Sequence, residues 1–174
     1  MNRRAWIAGA LSTAVTGPAL AGYGGRELVD FESPERPGTL IVNTGDRALC
    51  RILGDGLAMR YAVAVGKEGH DWAGIAEVGR KVEWPTWTPP RDMIARKPEL
   101  ARWAGGMPGG PDNPLGARAL YLYADGRDTL FRIHGTNEPD SIGNAASSGC
   151  IRMHNAHIIG LYDQTPIGTK VIVL

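Results

Sequence analysis

The sequence predicts a mainly β domain. Gly (24) and Pro (12) are plentiful among 174 residues, which favours many turns and short elements over a helical bundle. Short apolar runs recur between turn-forming clusters, as strands do. Only two segments have helical character, and both are short.

Residues 1–21 read as an export signal. Arg3 and Arg4 form a positive start, Trp6 to Val15 is a short apolar stretch, and Ala19-Leu20-Ala21 after Pro18 is a small-x-small cleavage site. The stretch is too short and too weakly apolar for a comfortable membrane span. The arginine pair leaves the general and twin-arginine export routes both open. No cysteine follows the cleavage site to carry a lipid anchor. Removing this segment takes away Arg3 and Arg4 and no acid, so 19 basic residues become 17 against 18 acidic ones and the net charge moves from +1 to −1. Such a near-neutral chain has no concentrated basic face for nucleic acid. The expectation is an exported monomer, periplasmic or associated with the cell wall, with no stable membrane span after processing.

Residues 22–38 mix glycine, proline and charge and read as a lead-in or a first edge segment. The domain proper is 39–174. Thr39–Asn43 is a short apolar run. Ala48–Leu53 and Leu57–Val65 form a hairpin around Gly54-Asp55-Gly56. Val78–Trp84 is a further strand, stopped by the prolines of 84–90, which cannot donate to a ladder. Arg91–Trp103 is helical with an interruption at Pro98. Residues 105–116 form a long loop rich in glycine and proline, a kind that is often functional. Ala119–Ala124 and Thr129–His134 pair around Asp125-Gly126-Arg127. A second loop, 135–149, leads to a short helix over His154–Leu161 and a closing strand over Lys170–Leu174. There is no internal repeat and no domain linker.

The chemistry concentrates where a strand ends in His134 and a polar loop leads to Cys150, between Gly149 and an apolar residue. A thiol, with a free pKa of about 8.5, needs help to act as a nucleophile near neutral pH. A nearby imidazole can take its proton. Backbone N–H groups of Gly149 and Cys150 are candidate donors to a developing oxyanion. Ser147, Ser148 and Thr136 offer further hydrogen bonds. On spacing alone, a small buried thiol is the competing explanation.

More than that pair is present. His134-Gly135-Thr136, Ser141-Ile142-Gly143 and Ser147-Ser148-Gly149-Cys150-Ile151-Arg152-Met153 together resemble the catalytic signature of the YkuD-type L,D-transpeptidases. The residues Tyr61 to Gly66, Trp87 to Pro90, Asn113 to Gly116 and Pro166 to Val173 are similar to other motifs of that family. The resemblance runs from about Thr39 to the C-terminus. It implies a sandwich-like pair of sheets with short peripheral helices. It implies that Cys150 attacks the carbonyl of the diamino acid at stem position three of peptidoglycan, with His134 as general base and the Gly135 carbonyl orienting the imidazole. D-alanine leaves and a thioester remains. An amine of another stem, or a lipoprotein lysine, resolves it. No metal and no organic cofactor are implied, and acylation by carbapenem-type β-lactams is.

Departures from the family pattern are specific. Ser148 stands where some members carry a second histidine, and Arg152 where others carry asparagine. Arg152, like Ser147, Ser148 and Thr136, is a candidate for substrate binding; its guanidinium suits a carboxylate fork or a structural ion pair. Asp71-Trp72-Ala73-Gly74 replaces a Thr-Pro-x-Gly pattern. Other readings stay open. Water in place of an amine would make an L,D-carboxypeptidase, and loss of chemistry would leave a wall-binding module, against which the intact Cys150, His134 and Gly149 speak. A papain-like order is excluded because His134 precedes Cys150. His154 and His157 could join Cys150 and His134 around zinc, or sit at the surface. Cys50 packs in a strand or pairs with Cys150. Trp84, Trp87 and Trp103 line a groove or enter the core. His70 has no evident partner.

Overall fold

The computed structural model describes residues 25–66, 72–147 and 149–174. The export segment, His70 and Ser148 lie outside the described residues. The strands are β1 (Arg26–Asp30), β2 (Leu40–Asn43), β3 (Ala48–Gly54), β4 (Leu57–Ala62), β5 (Val65–Gly66), β6 (Gly74–Glu83), β7 (Arg118–Ala124), β8 (Arg127–His134), β9 (Ala145–Ser147), β10 (Ile151–Arg152) and β11 (Lys170–Val173). The α-helices are α1 (Arg91–Arg96) and α2 (Asn155–Asp163), and a 3-10 segment spans Pro98–Trp103. The chain is mainly β, as the sequence predicts.

Two hairpins show why their residues form them. Asp55 and Gly56 have φ of 52° and 71°, and Asp125 and Gly126 have 50° and 71°. Two consecutive positive φ values make the turn whose twist matches the strands it joins, and Asp-Gly adopts it readily. The 22–38 lead-in contributes β1, which pairs antiparallel with β4 at the sheet edge. β6 begins at Gly74 rather than Val78 because Gly74–Glu77 find partners along β11. The helical stretch breaks before Pro98, which disfavours helix in Lys97 (φ −135°).

Nine strands form one sheet in the order β1-β4-β3-β2-β11-β6-β7-β8-β10, and β5 and β9 form a small parallel pair. The sandwich-like outline therefore comes from a single sheet folding over on itself. Ala64, just beyond β4, bonds back to Arg152 of β10 through N–H···O contacts of 2.9 and 2.8 Å. This seam closes the curl. Inside lies the main core, including Leu40, Leu49, Val78, Leu120, Ile133, Ile151 and Met153. Ile158 and Leu161 of α2 are buried in the same core. Burying each such side chain stabilises the fold by roughly 1.5–3 kcal/mol. A smaller cluster of Ile41, Cys50, Ile52 and Ala58 is separate from that core.

Candidate active site

The site is built by the last strand pair. β10 runs parallel to β8 with Ile151 opposite Ile133 and Arg152 opposite His134. Ile133 and Ile151 face the core. Side chains alternate along a strand, so His134 and Arg152 point away from that core, where His134 is buried under other cover and Arg152 is half-buried. One residue before β10, Cys150 stands beside Arg132, whose backbone N–H and guanidinium both act on the thiol. The register thus sets Cys150, just ahead of β10, next to the end of β8 that carries His134.

His134 is buried, and its Nδ1 lies 2.6 Å from the Gly135 carbonyl. A carbonyl only accepts, so Nδ1 carries the proton toward Gly135. Burial pushes the imidazole down to about 4, against the opposing pull of the Gly135 and Leu115 carbonyls. Burial pushes the half-buried Cys150 thiol up, opposed by the N–H and guanidinium of Arg132 and by the charge of Arg152. The resting pair is a neutral thiol and a neutral imidazole.

The turn before Cys150 is braced by Ser147. Its Oγ accepts the Gly149 N–H at 3.1 Å and donates to the Cys150 carbonyl at 2.5 Å. Gly149 has φ of 118°, a conformation that a side chain would strain. The Gly149 N–H, expected among the oxyanion donors, is thus engaged by Ser147, and Ser147 itself is buried inside the turn. Thr136 is buried too, with its hydroxyl accepting the Glu138 N–H at 2.9 Å. Arg152 pairs with the exposed Glu138 carboxylate at 3.1 Å.

Two asparagines organise the surroundings. Asn155, at the start of α2, accepts the N–H groups of Ala117 (3.0 Å) and Thr136 (3.2 Å) and donates to the Thr136 carbonyl (2.9 Å). This clamp explains two glycines. A Cβ on Gly116 or Gly135 would stand about 2 Å from Asn155 Oδ1. Asn113 is fully buried and donates toward the carbonyls of Pro85, Met107 and Pro108 at 3.0–3.1 Å. It staples the proline-rich segment to the 105–116 loop, which Trp87 and Met107 also join through a backbone bridge. Trp87 and Trp103 are half-buried beside these loops and Trp84 is exposed. Sequence reasoning found the Asn113 motif but missed Asn155, because an asparagine opening a helix reads as an ordinary cap.

Cys50 and Cys150 are both free thiols, and burial pushes Cys50 up to about 11. His154 and His157 stack edge to face at 5.5 Å, and His157 meets Tyr61 at 5.7 Å. No cluster of three or more His, Cys, Asp or Glu among the described residues is arranged to hold a metal ion.

The profile of the L,D-transpeptidase catalytic domain (YkuD) matches residues 37–173. The chain belongs to the L,D-transpeptidase catalytic domain family. It is 38% identical over 122 residues to the probable L,D-transpeptidase ErfK/SrfK of Escherichia coli (strain K12), covering 66% of this chain and 36% of that protein. It is 37% identical over 136 residues to the putative L,D-transpeptidase YqjB of Bacillus subtilis (strain 168), covering 77% and 69%. The chain spans about a third of the length of the Escherichia coli relative (36%) and about half that of a Fuscovulum blasticum putative L,D-transpeptidase (49%). A Brucella melitensis structure described as a probable carnitine operon oxidoreductase, caia, is 42% identical with a TM-score of 0.60, covering 89% of this chain and 96% of that one. The catalytic domain of the E. faecium L,D-transpeptidase shares the fold at 19% identity and a TM-score of 0.55, with 82% and 100% covered.

Proposed function

We propose that this chain is a peptidoglycan L,D-transpeptidase with Cys150 as nucleophile and His134 as general base. The observation that carries the reading is the β8–β10 pairing. It supports a thiol just ahead of β10 next to an imidazole at the end of β8, inside a catalytic-domain family whose relatives are named for this activity.

Cys150 Sγ attacks the carbonyl carbon of the stem's diamino acid while its proton passes to His134 Nε2. The Cys150 N–H is the donor we assign to the developing oxyanion, because the Gly149 N–H is bound to Ser147. The C–N bond to D-alanine breaks and His134 returns the proton to the leaving amine. An acceptor amine then attacks the thioester, His134 takes its proton, and the C–S bond breaks to restore the thiol. Arg152 is the candidate for a substrate carboxylate, in place of the exposed Glu138 side chain that it now holds. Ser147 and Thr136 act by holding backbone, and Gly135 by orienting His134. Stem peptides lie outside the cytoplasmic membrane, which accords with an export role for residues 1–21. No helix among the described residues is long and apolar enough to cross a membrane.

Product analysis tests this. Purified protein would be incubated with disaccharide-tetrapeptide, with and without an acceptor amine. Cross-linked product that requires Cys150 is the expected result. Tripeptide alone would reassign the chain as an L,D-carboxypeptidase. No turnover by folded, reduced protein would overturn the enzymatic reading.

A further inference from the structure

The nucleophile has a neighbour that the proposed reaction does not use. Arg132 on β8 flanks Cys150, in the register that pairs β10 with β8. Its side chain is only 16% exposed. The guanidinium is gripped from two sides. Asp128 binds it in a two-point fork at 2.8 and 2.9 Å, and the Tyr121 ring lies 4.2 Å away. Tyr121 is opposite Arg132 in the β7–β8 register, and Arg80 stacks over the same ring at 5.0 Å.

The fork itself is unusual. Residues four apart in a regular strand stand about 13 Å apart. Here β8 bulges. Leu130 has φ of 65°, and the β7–β8 register shifts between Tyr121 and Tyr123. A bulge shortens and re-aims a strand, and this one brings Asp128 back onto Arg132. Asp128 also accepts the Leu130 N–H at 2.8 Å, which ties the bulge to the ion pair. Leu130 is 76% exposed, so its side chain gains little from a backbone state that leucine rarely adopts. The distortion serves the Asp128–Arg132 pair.

We propose that Arg132 is a positioning residue for the Cys150 thiolate, and that Asp128 sets how much of its charge the sulfur feels. The inference rests on Cys150 being the nucleophile. The charged groups acting on the thiol are Arg132 and Asp128 from β8 and Arg152 from β10, with the neutral His134 at the end of β8, Glu138 paired to Arg152 and Arg80 reaching Tyr121 from β6. Both arginines favour the thiolate, and Asp128 opposes it. Arg132 also contributes its backbone N–H toward the sulfur. The half-neutralised cation stabilises the anion formed when His134 takes the proton, while its two grips keep it from swinging onto the sulfur as a blocking ion pair.

The test follows alkylation of the folded full chain by iodoacetamide from about pH 6 to about pH 10, a range around ordinary thiol values. Mass spectrometry separates the Cys150 peptide from the Cys50 peptide, which serves as an internal reference. Arg132→Gln should move the Cys150 titration to higher pH and slow alkylation below the midpoint by about three- to tenfold. Asp128→Asn should move it to lower pH and speed alkylation by a similar factor. Arg132→Lys should restore most of the loss. A merely structural role would leave the Cys150 titration where it is in variants that still melt cooperatively. If Arg132→Gln does not fold, Asp128→Asn decides, since it leaves the Tyr121 stack in place. Unchanged titration in the folded variants, with turnover still dependent on Cys150, overturns the Arg132 assignment alone. Turnover retained by Cys150→Ala overturns the nucleophile reading and this inference with it.

Discussion

Burial holds both members of the Cys150–His134 pair neutral, and each has a measurable consequence. The thiol is raised and the imidazole lowered, so activity should climb from about pH 6 toward about pH 9 as thiolate becomes accessible. Its apparent midpoints belong to the coupled pair and not to either residue. A flat pH–rate profile over that range would contradict the arrangement. Stability depends on pH through the same imidazole. His134 holds a proton only below about 4 when folded, against an ordinary value of 6.5. The unfolded chain therefore takes up the proton first. Folding stability should fall by roughly 3 kcal/mol as pH drops from about 6.5 to about 4. Denaturant unfolding at both ends of that window measures it, and His134→Gln should flatten the dependence. The proposed nucleophile has its own readout. A carbapenem-type β-lactam should add one covalent adduct to the intact protein, seen by mass spectrometry and absent from Cys150→Ala.

Among the elements, α2 matters as much for its first residue as for its buried face. Asn155→Ala would leave two N–H groups and one carbonyl without partners beside Gly116 and Gly135. A cost of about 2–4 kcal/mol is expected. Activity should fall further than stability alone explains, because the clamp adjoins His134. Thermal melting together with kcat/KM separates the two effects, and an Asn155→Ala protein of unchanged stability and activity would remove the clamp from the account. The elements also show what was legible in the sequence. Asp55-Gly56 and Asp125-Gly126 announced their hairpins because few dipeptides tolerate two positive φ values. His134 and Cys150 were legible as part of a motif. The parallel register of β10 on β8 was not, since a two-residue strand has no periodicity to read. Nor was the diversion of the Gly149 N–H to Ser147, which depends on a turn closing over three residues. Asn155 reaches 38 residues back to Ala117, a contact that no local pattern encodes.

At the scale of the whole molecule, the curled sheet is closed by a narrow seam. Two N–H···O bonds join Ala64 to Arg152, supported by Gly143 to Val63 and Val65 to Asn144. Interior strands such as β2, β11 and β6 have neighbours on both sides. Hydrogen exchange should therefore be faster at Ala64 and Arg152 than in those strands. Heating should abolish turnover below the temperature of global unfolding, because opening the seam frees β10 and with it Cys150. Loss of activity and of tertiary signal at one temperature would argue against a separable seam.

The placement of Cys150 at the edge of the sheet has a bearing on the size of what can react there. A closed sheet with reactive groups in its lumen admits only molecules small enough to enter. Here the space inside the curl is filled by packed side chains, and the half-buried thiol stands at the sheet's edge, just ahead of β10. A peptide anchored to a continuous polymer cannot diffuse into a cavity, but it can be laid along such an edge. On the proposed reading the thiol meets such a network edge-on, and the tether behind the reacting carbonyl never has to fit inside the protein.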